Sequence, residues 1–320
     1  MVEEAGAVAE DMHMRTMTLR ASLVVLILSA PHVAASCGRT ELPQRTFQAP
    51  EEAVRALEQV VRTGDAAELA RLFGPDAQAL IDSSEPDVAR QRRDVFAAAM
   101  AQGWRLVNQG DSKVLVVGDE VWPFPVPLTQ NAFGWRFDTG AGKEEILARR
   151  IGRNELAVID ICRRYVAAQQ AYASHSRDGL PAGLYAQKIR SDPGRQNGLF
   201  WPAARGERRS PLGDLIAEAA DRPSSSAGRG PTPFHGYYFR ILTAQGPAAE
   251  RGARTYIVDG AMSGGFALVA WPAQYDVTGI MTFLVNQTGV VHEKDLGRRT
   301  ATAIEQITAY NPDPSWQPLQ

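Results

Sequence analysis

Lys143-Glu-Glu-Ile-Leu-Ala-Arg-Arg-Ile-Gly-Arg-Asn-Glu-Leu-Ala-Val-Ile-Asp-Ile-Cys-Arg-Arg-Tyr-Val-Ala-Ala-Gln-Gln-Ala-Tyr-Ala-Ser174 decides the fold. Its apolar positions include Leu147, Ile151, Val158, Cys162, Tyr165, Val166 and Tyr172. Steps of four, seven, four and three keep these on one face of an α-helix. Gly152 weakens that helix by about 1 kcal/mol relative to Ala. Arg149, Arg150 and Arg153 fit ion pairs with Glu144, Glu145 and Glu155 on a solvated face rather than an anion-binding patch. A helix this long needs a surface on which to bury its apolar face, and the sequence beyond it supplies strands.

Those strands are Tyr237–Thr243, Thr255–Val258, Gly265–Trp271 and Gly279–Val285, with Val290–Glu293 returning after the loop Asn286-Gln-Thr-Gly289. Asp259-Gly260 is a turn signal, and Pro272 is expected to stop the third strand. Ala301–Tyr310 reads as a closing helix. Between the long helix and these strands, residues 176–210 carry little periodicity. Leu212–Ala220 reads as a short helix, and Arg222–Pro233 as a flexible excursion.

Upstream, Glu51–Thr63 places Ala53, Val54, Leu57, Val60 and Val61 on one helical face. Gly64-Asp65 ends that helix and caps a second through Leu69, Leu72 and Phe73. A third runs from about Asp87 to Gln102. Trp104–Val107, Lys113–Val117, Val121–Leu128 and Phe133–Phe137 read as strands. Pro123, Pro125 and Pro127 demote the third of these to an edge or extended segment. The whole is α+β: N-terminal helices with a small antiparallel sheet, then a long helix packed on a C-terminal antiparallel meander. The expected divisions are a signal peptide over 1–36, a tether over 37–49, an N-terminal domain over 50–140 and a C-terminal domain over 141–320.

The leader reading rests on Arg15 and Arg20 before the apolar run Ala21–Ala30, with small residues at Ala34, Ala35 and Ser36. That run is too short to span a bilayer but fits the apolar part of a signal peptide. It places the protein in the periplasm or outside the cell. Ala34-Ala-Ser-Cys37 also reads as a lipobox, in which Cys37 would carry a lipid and anchor the mature protein without a transmembrane helix. Cys162 then remains as a small core residue. With 34 Lys and Arg against 36 Asp and Glu, the chain is not built to coat nucleic acid. Beyond residue 36 the two signs balance at 32 each.

Catalytic templates fail on specific residues. Gly140-Ala-Gly-Lys143 continues with Glu144 where a phosphate loop needs Ser or Thr, and a carboxylate there repels phosphate. His292-Glu293 begins like a zinc-protease motif, but the second histidine's place holds Leu296. Ser263 lacks the glycine of a nucleophile elbow, because position 261 is Ala. His175, His235 and His292 show no paired metal spacing, so no metal or cofactor is expected. Asp259, Glu293 and Asp295 are the carboxylates bordering the C-terminal strands. Trp201, Trp271, Tyr237 and Tyr275 read as core or rim aromatics. The candidate binding residues are His235, Tyr237, Trp271, His292 and Glu293.

Arg149-Arg-Ile-Gly-Arg-Asn-Glu155, Phe234-His-Gly-Tyr-Tyr-Phe-Arg240, Gly264-Gly-Phe-Ala-Leu-Val-Ala-Trp-Pro-Ala273 and Gly289-Val-Val-His-Glu-Lys-Asp-Leu296 carry a family likeness. Phe47-Gln-Ala-Pro-Glu-Glu-Ala53 and Trp122-Pro-Phe-Pro-Val-Pro127 extend it. On these residues nearly the whole mature chain resembles an uncharacterised family of bacterial exported proteins, domain-of-unknown-function family 2950. The resemblance implies export and brings no activity. The order of long helix, variable region and meander is also similar to the globular part of type IV pilin-like proteins. The helix lacks their apolar N-terminal half, so that likeness concerns fold, not filament assembly. Pro50–Phe137 resembles small helix-plus-sheet pocket domains of the nuclear-transport-factor-two type. The function expected is a non-enzymatic binding or assembly factor of the cell envelope, whose partner or ligand the sequence does not name. The alternatives are an envelope hydrolase acting on glycans or peptides, and a pilin-like subunit. His235 or His292 within hydrogen-bond reach of Glu293, Asp295 or Asp259 would favour the hydrolase.

Overall fold

In the structure, a computed structural model, residues 43–74, 77, 86–202, 209–213 and 233–319 are described. The leader, Cys37, all but the first two residues of the Leu212–Ala220 helix and all but the last residue of the Arg222–Pro233 excursion lie outside them. The chain divides between Arg149 and Arg150 into two compact units.

The first unit begins with α1 (Pro50–Thr63), whose buried positions include Ala53, Val54, Leu57, Val60 and Val61. Pro50 presets the first turn, and Glu51 and Glu52 lie at the positive end of the helix dipole. The Gly64 N–H returns to the Val60 carbonyl at 2.8 Å and closes α1. Asp65 then accepts from the N–H groups of Ala67 (2.9 Å) and Glu68 (3.1 Å), starting α2 (Ala66–Phe73). α3 covers Pro86–Gln102.

An antiparallel sheet follows, formed by β1 (Trp104–Gln109), β2 (Ser112–Val117), β3 (Trp122–Pro123), β4 (Leu128–Asn131) and β5 (Gly134–Phe137). The order is β1-β2-β4-β5, with β3 pairing the far end of β2. The segment Val121–Leu128 is therefore not one strand. Its prolines withhold the N–H groups that a ladder needs, so pairing lapses after Pro123 and resumes at Leu128. The freed Phe124 and Val126 turn into the core. There Phe124 meets Phe96 at 5.4 Å and Phe137 at 6.1 Å between ring centroids. Phe47, in the stretch read as tether, exchanges two backbone hydrogen bonds of 2.8 Å with Trp135 and so borders β5.

α4 spans Thr139–Ala173, starting four residues earlier than the periodicity suggests. Asp138 accepts from the Ala141 N–H at 3.0 Å and sets that start. In the second unit its buried residues are Ile151, Val158, Ile161, Cys162, Tyr165, Val166, Ala168, Gln169 and Tyr172, while Leu147 in the first unit is only half-buried.

The strands that follow are β6 (Tyr237–Leu242), β7 (Ala244–Gln245), β8 (Arg254–Thr255), β9 (Ile257–Val258), β10 (Ala261–Met262), β11 (Ala267–Pro272), β12 (Met281–Asn286), β13 (Val291–Asp295) and β14 (Gln317–Pro318). The main sheet runs β14-β13-β12-β11-β6, antiparallel throughout. Asp259 and Gly260 join β9 to β10 with φ of 51° and 78°, a turn that an Asp-Gly pair adopts readily.

Register sorts the side chains of the main sheet. Phe239, Ala270, Phe283 and Glu293 form one row across it, flanked by the pair Tyr237–Pro272. This face looks to α4, whose Tyr165 hydroxyl donates to the Ala267 carbonyl at 3.1 Å. Arg240, Val269, Leu284 and His292 form a row on the opposite face. That face is covered by the segment after β13: the Arg240 guanidinium donates to the carbonyls of Ile304 (2.7 Å) and Ile307 (2.8 Å). Burial from both sides explains why β11 and β12 are apolar without alternation.

The expected helix Ala301–Tyr310 is mostly absent. A 3-10 turn (Gly297–Arg299), α5 (Thr300–Ala303) and a second 3-10 turn (Ile304–Gln306) replace it. Arg240 takes the carbonyls that would continue the helix. Tyr310 also pairs with β7 and its flank, through Tyr310 N–H to Ala244 O and Gly246 N–H to Tyr310 O, both 2.9 Å. Pro272 lies inside β11 rather than after it, at the end of the ladder opposite Tyr237.

Val158 is fully buried on the sheet-facing side of α4. Val158→Asp is expected to cost several kcal/mol, because it buries an unpaired charge. A chemical-denaturation midpoint equal to that of the wild type would refute the assigned face.

Candidate functional site

The polar centre of the second unit is built on two adjacent residues of α4. Asn154 Nδ2 donates to the Thr278 carbonyl at 2.8 Å. Glu155 Oε1 accepts from the N–H groups of Ile280 (2.8 Å) and Met281 (2.9 Å). The segment Thr278–Met281 leads into β12, so these three bonds fasten the start of a central strand to the helix. Hydrogen bonds to a carboxylate contribute about 1.5–3 kcal/mol each.

Tyr237 opens β6 and enters the same place. Its hydroxyl lies 2.9 Å from the Met281 carbonyl and 3.3 Å from Glu155 Oε1, so one proton serves two acceptors. Burial raises its pKa, and the charges of Glu155 and Glu293 add to the effect, so the hydroxyl remains a donor. Gly279 lies against the Tyr237 ring so closely that a Cβ there would overlap the phenol. Gly279→Ala should therefore destabilise the unit by about 1–3 kcal/mol, as overpacking does.

Glu293 arrives from β13 on the same face of the sheet. Its carboxyl has no hydrogen-bond partner among the described residues. Burial, and then repulsion from Glu155, raise its pKa above the usual carboxylate value.

Of the five candidate residues, the structure brings together Tyr237 and Glu293. His235 is exposed in the turn before β6, at φ 44°, with its ring against Phe234. Trp271 lies on the opposite face of the sheet, between Tyr238 and the Arg240 guanidinium. His292 is also on that face, where its Nδ1 lies 3.3 Å from the Tyr310 hydroxyl. Desolvation lowers its pKa. Asp259 is exposed in its turn. Asp295 accepts from the Tyr275 hydroxyl (3.1 Å) and the Gly297 N–H (2.7 Å). Among the described residues no histidine bonds a carboxylate, and no three His, Cys, Asp or Glu side chains gather as metal ligands. Burial pushes the Cys162 thiol up to about 12, which leaves it unreactive.

Sequence reasoning assigned Glu155 to ion pairing with nearby arginines and so missed it. The signal was its position three residues before Val158 and seven before Cys162, on the buried side of the helix. Arg149 does pair with Glu145, at 2.7 Å, and also donates to the Pro123 carbonyl at 2.8 Å.

Fold and site together define an α+β protein in which a long helix is bonded through a carboxylate to the start of a central strand. The chain belongs to the family described as protein of unknown function (DUF2950), whose model matches residues 44–319. No curated protein and no solved structure matches it. No helix among the described residues is long and apolar enough to cross a membrane.

Two opposed pH effects follow. A raised carboxyl pKa means that the stability linked to Glu293 is fully present below its unfolded value near 4.5 and lost as pH rises through the folded value. Glu293→Gln should therefore raise the melting temperature at neutral pH, with the gain vanishing below about pH 4. His292 has a lowered pKa, so its contribution is full above 6.5 and lost as pH falls from there. His292→Phe should flatten the acid side of a stability–pH profile measured by thermal unfolding.

Proposed function

We propose that this protein is an exported factor of the cell envelope that acts by binding or assembly rather than turnover. The leader supports export through Arg15, Arg20, the apolar run Ala21–Ala30 and the small residues before Cys37. The observation that carries the non-enzymatic part is the engagement of polar groups around Glu155. Glu155, Asn154 and Tyr237 are all bonded to the backbone of Thr278–Met281, which makes them fasteners of the fold. Two measurements test the reading. Intact mass of the protein recovered from the envelope should show loss of the first 36 residues, and a lipid on Cys37 would add its mass and disappear in Cys37→Ser. The purified protein should show no turnover on panels of glycan and peptide substrates. Robust turnover abolished by one substitution would reverse the conclusion.

One observation favours a hydrolase as the second reading. Burial, and then the charge of Glu155, raise the pKa of Glu293, and a carboxyl with a raised pKa is what glycoside hydrolysis uses as its general acid. Under that reading Glu293→Gln removes glycan cleavage while the protein remains folded.

A further inference from the structure

We infer that Glu155 and Glu293 form a pH-responsive fastening that sets how firmly the segment Thr278–Met281 is held on α4. The two carboxylates have unequal partners. Glu155 Oε1 accepts from Ile280 N–H, Met281 N–H and the Tyr237 hydroxyl, at 2.8, 2.9 and 3.3 Å. Every one of these bonds requires an acceptor oxygen. Glu293 makes no such bond among the described residues, so taking up a proton costs it no hydrogen bond. When Glu293 is neutral, the negative charge on Glu155 is opposed by nothing on β13 and is held by its three donors. When both are charged, their repulsion acts directly on the carboxylate that does the fastening.

The charged and titratable surroundings point the same way. Glu155 holds the Met281 N–H and the Tyr237 hydroxyl from α4, and Glu293 stands on the same face of the sheet, diagonal to Met281 across the β12–β13 pair. On β12 the cross-strand partner is Phe283 and on β14 it is Gln317, neither of which titrates. Two residues along β13, Asp295 points to the same side but is engaged by Tyr275 and the Gly297 N–H. His292 and Lys294 alternate to the other face. The raised pKa of Glu293 agrees with this environment.

The segment is suited to respond. It joins β11 to β12 and is bonded to α4 through Asn154 and Glu155, and Gly279 leaves it no side chain to wedge under Tyr237. Loosening the Glu155 bonds would release the Ile280 and Met281 N–H groups, while Met281 stays opposite Asp295 and the ladder from Phe283 onward stays paired with both neighbours.

Amide hydrogen exchange on the full chain tests this. After correction for intrinsic rates, protection at Ile280 and Met281 should fall several-fold between about pH 5 and about pH 7.5. Protection at Leu115, buried in the sheet of the first unit, should change much less. Glu293→Gln, close in shape to the wild type, should hold the acid-level protection at both pH values. Glu155→Gln should lose protection at Ile280 and Met281 at both. The inference is overturned if wild-type protection at these amides does not vary with pH. It is equally overturned if Glu293→Gln follows the wild type, or if Leu115 changes by the same factor, which would mark a pH effect that does not arise at this contact.

Discussion

One carboxylate oxygen on α4 organises the second unit. Glu155 has no intrahelical task; its acceptor capacity goes to two successive N–H groups at the entry to β12 and to a phenol at the entry to β6. Those N–H groups precede the β11–β12 ladder and are bonded to Glu155 instead. Unmet, each would carry a desolvation penalty of about 1–3 kcal/mol. The constraint propagates outward. β12 is central, so fixing where it begins fixes its register with β11 and β13, and thereby which side chains face the helix.

The opposite face of the sheet is organised by the complementary charge. Arg240 lies over Trp271 and donates to the carbonyls of Ile304 and Ile307. A carboxylate gathers N–H groups on one side and a guanidinium gathers carbonyls on the other. Each compensates backbone groups that a two-faced apolar sheet would otherwise leave without partners. Buried amides do the same for irregular segments. Gln169 both accepts from the Ala186 N–H and donates to the Ala186 carbonyl, each at 2.8 Å, and so imitates a strand for a stretch that has none. Gln245 donates to the carbonyls of Glu250 and Gly252 while accepting from the Tyr256 hydroxyl.

What could be read beforehand follows from this division of labour. The helices α1, α2 and α4 and the strands β6, β11 and β12 are specified by local periodicity and turn residues, and each is legible in the sequence. The splitting of Val121–Leu128 is legible only in part: its prolines forbid a continuous ladder, but nothing local says that pairing resumes at Leu128. The segment after β13 has helical composition, yet Arg240, more than sixty residues away, takes its carbonyls. Tyr237 and Glu293 meet, whereas Trp271 and His292 fall on the other face. That distinction depends on register, in which a shift of one residue exchanges the faces. Glu155 escaped notice because an acid among arginines reads as surface until its helical phase is compared with that of Val158.

The spacing of these bonds along the chain has a consequence for how the molecule is made. Glu155 waits for partners 125 and 126 residues further on, and β14 lies almost at the end of the matched region. As the chain is synthesised from its N-terminus, α4 emerges long before the sheet that will cover Val158, Cys162 and Tyr165. Contacts so distant in sequence form slowly, because loop closure must precede their reward. For most of its synthesis the second unit is thus an incomplete core with an exposed apolar stripe, the kind of surface that holding chaperones recognise. The same delay keeps the chain threadable, which any route requiring an unfolded polypeptide would exploit.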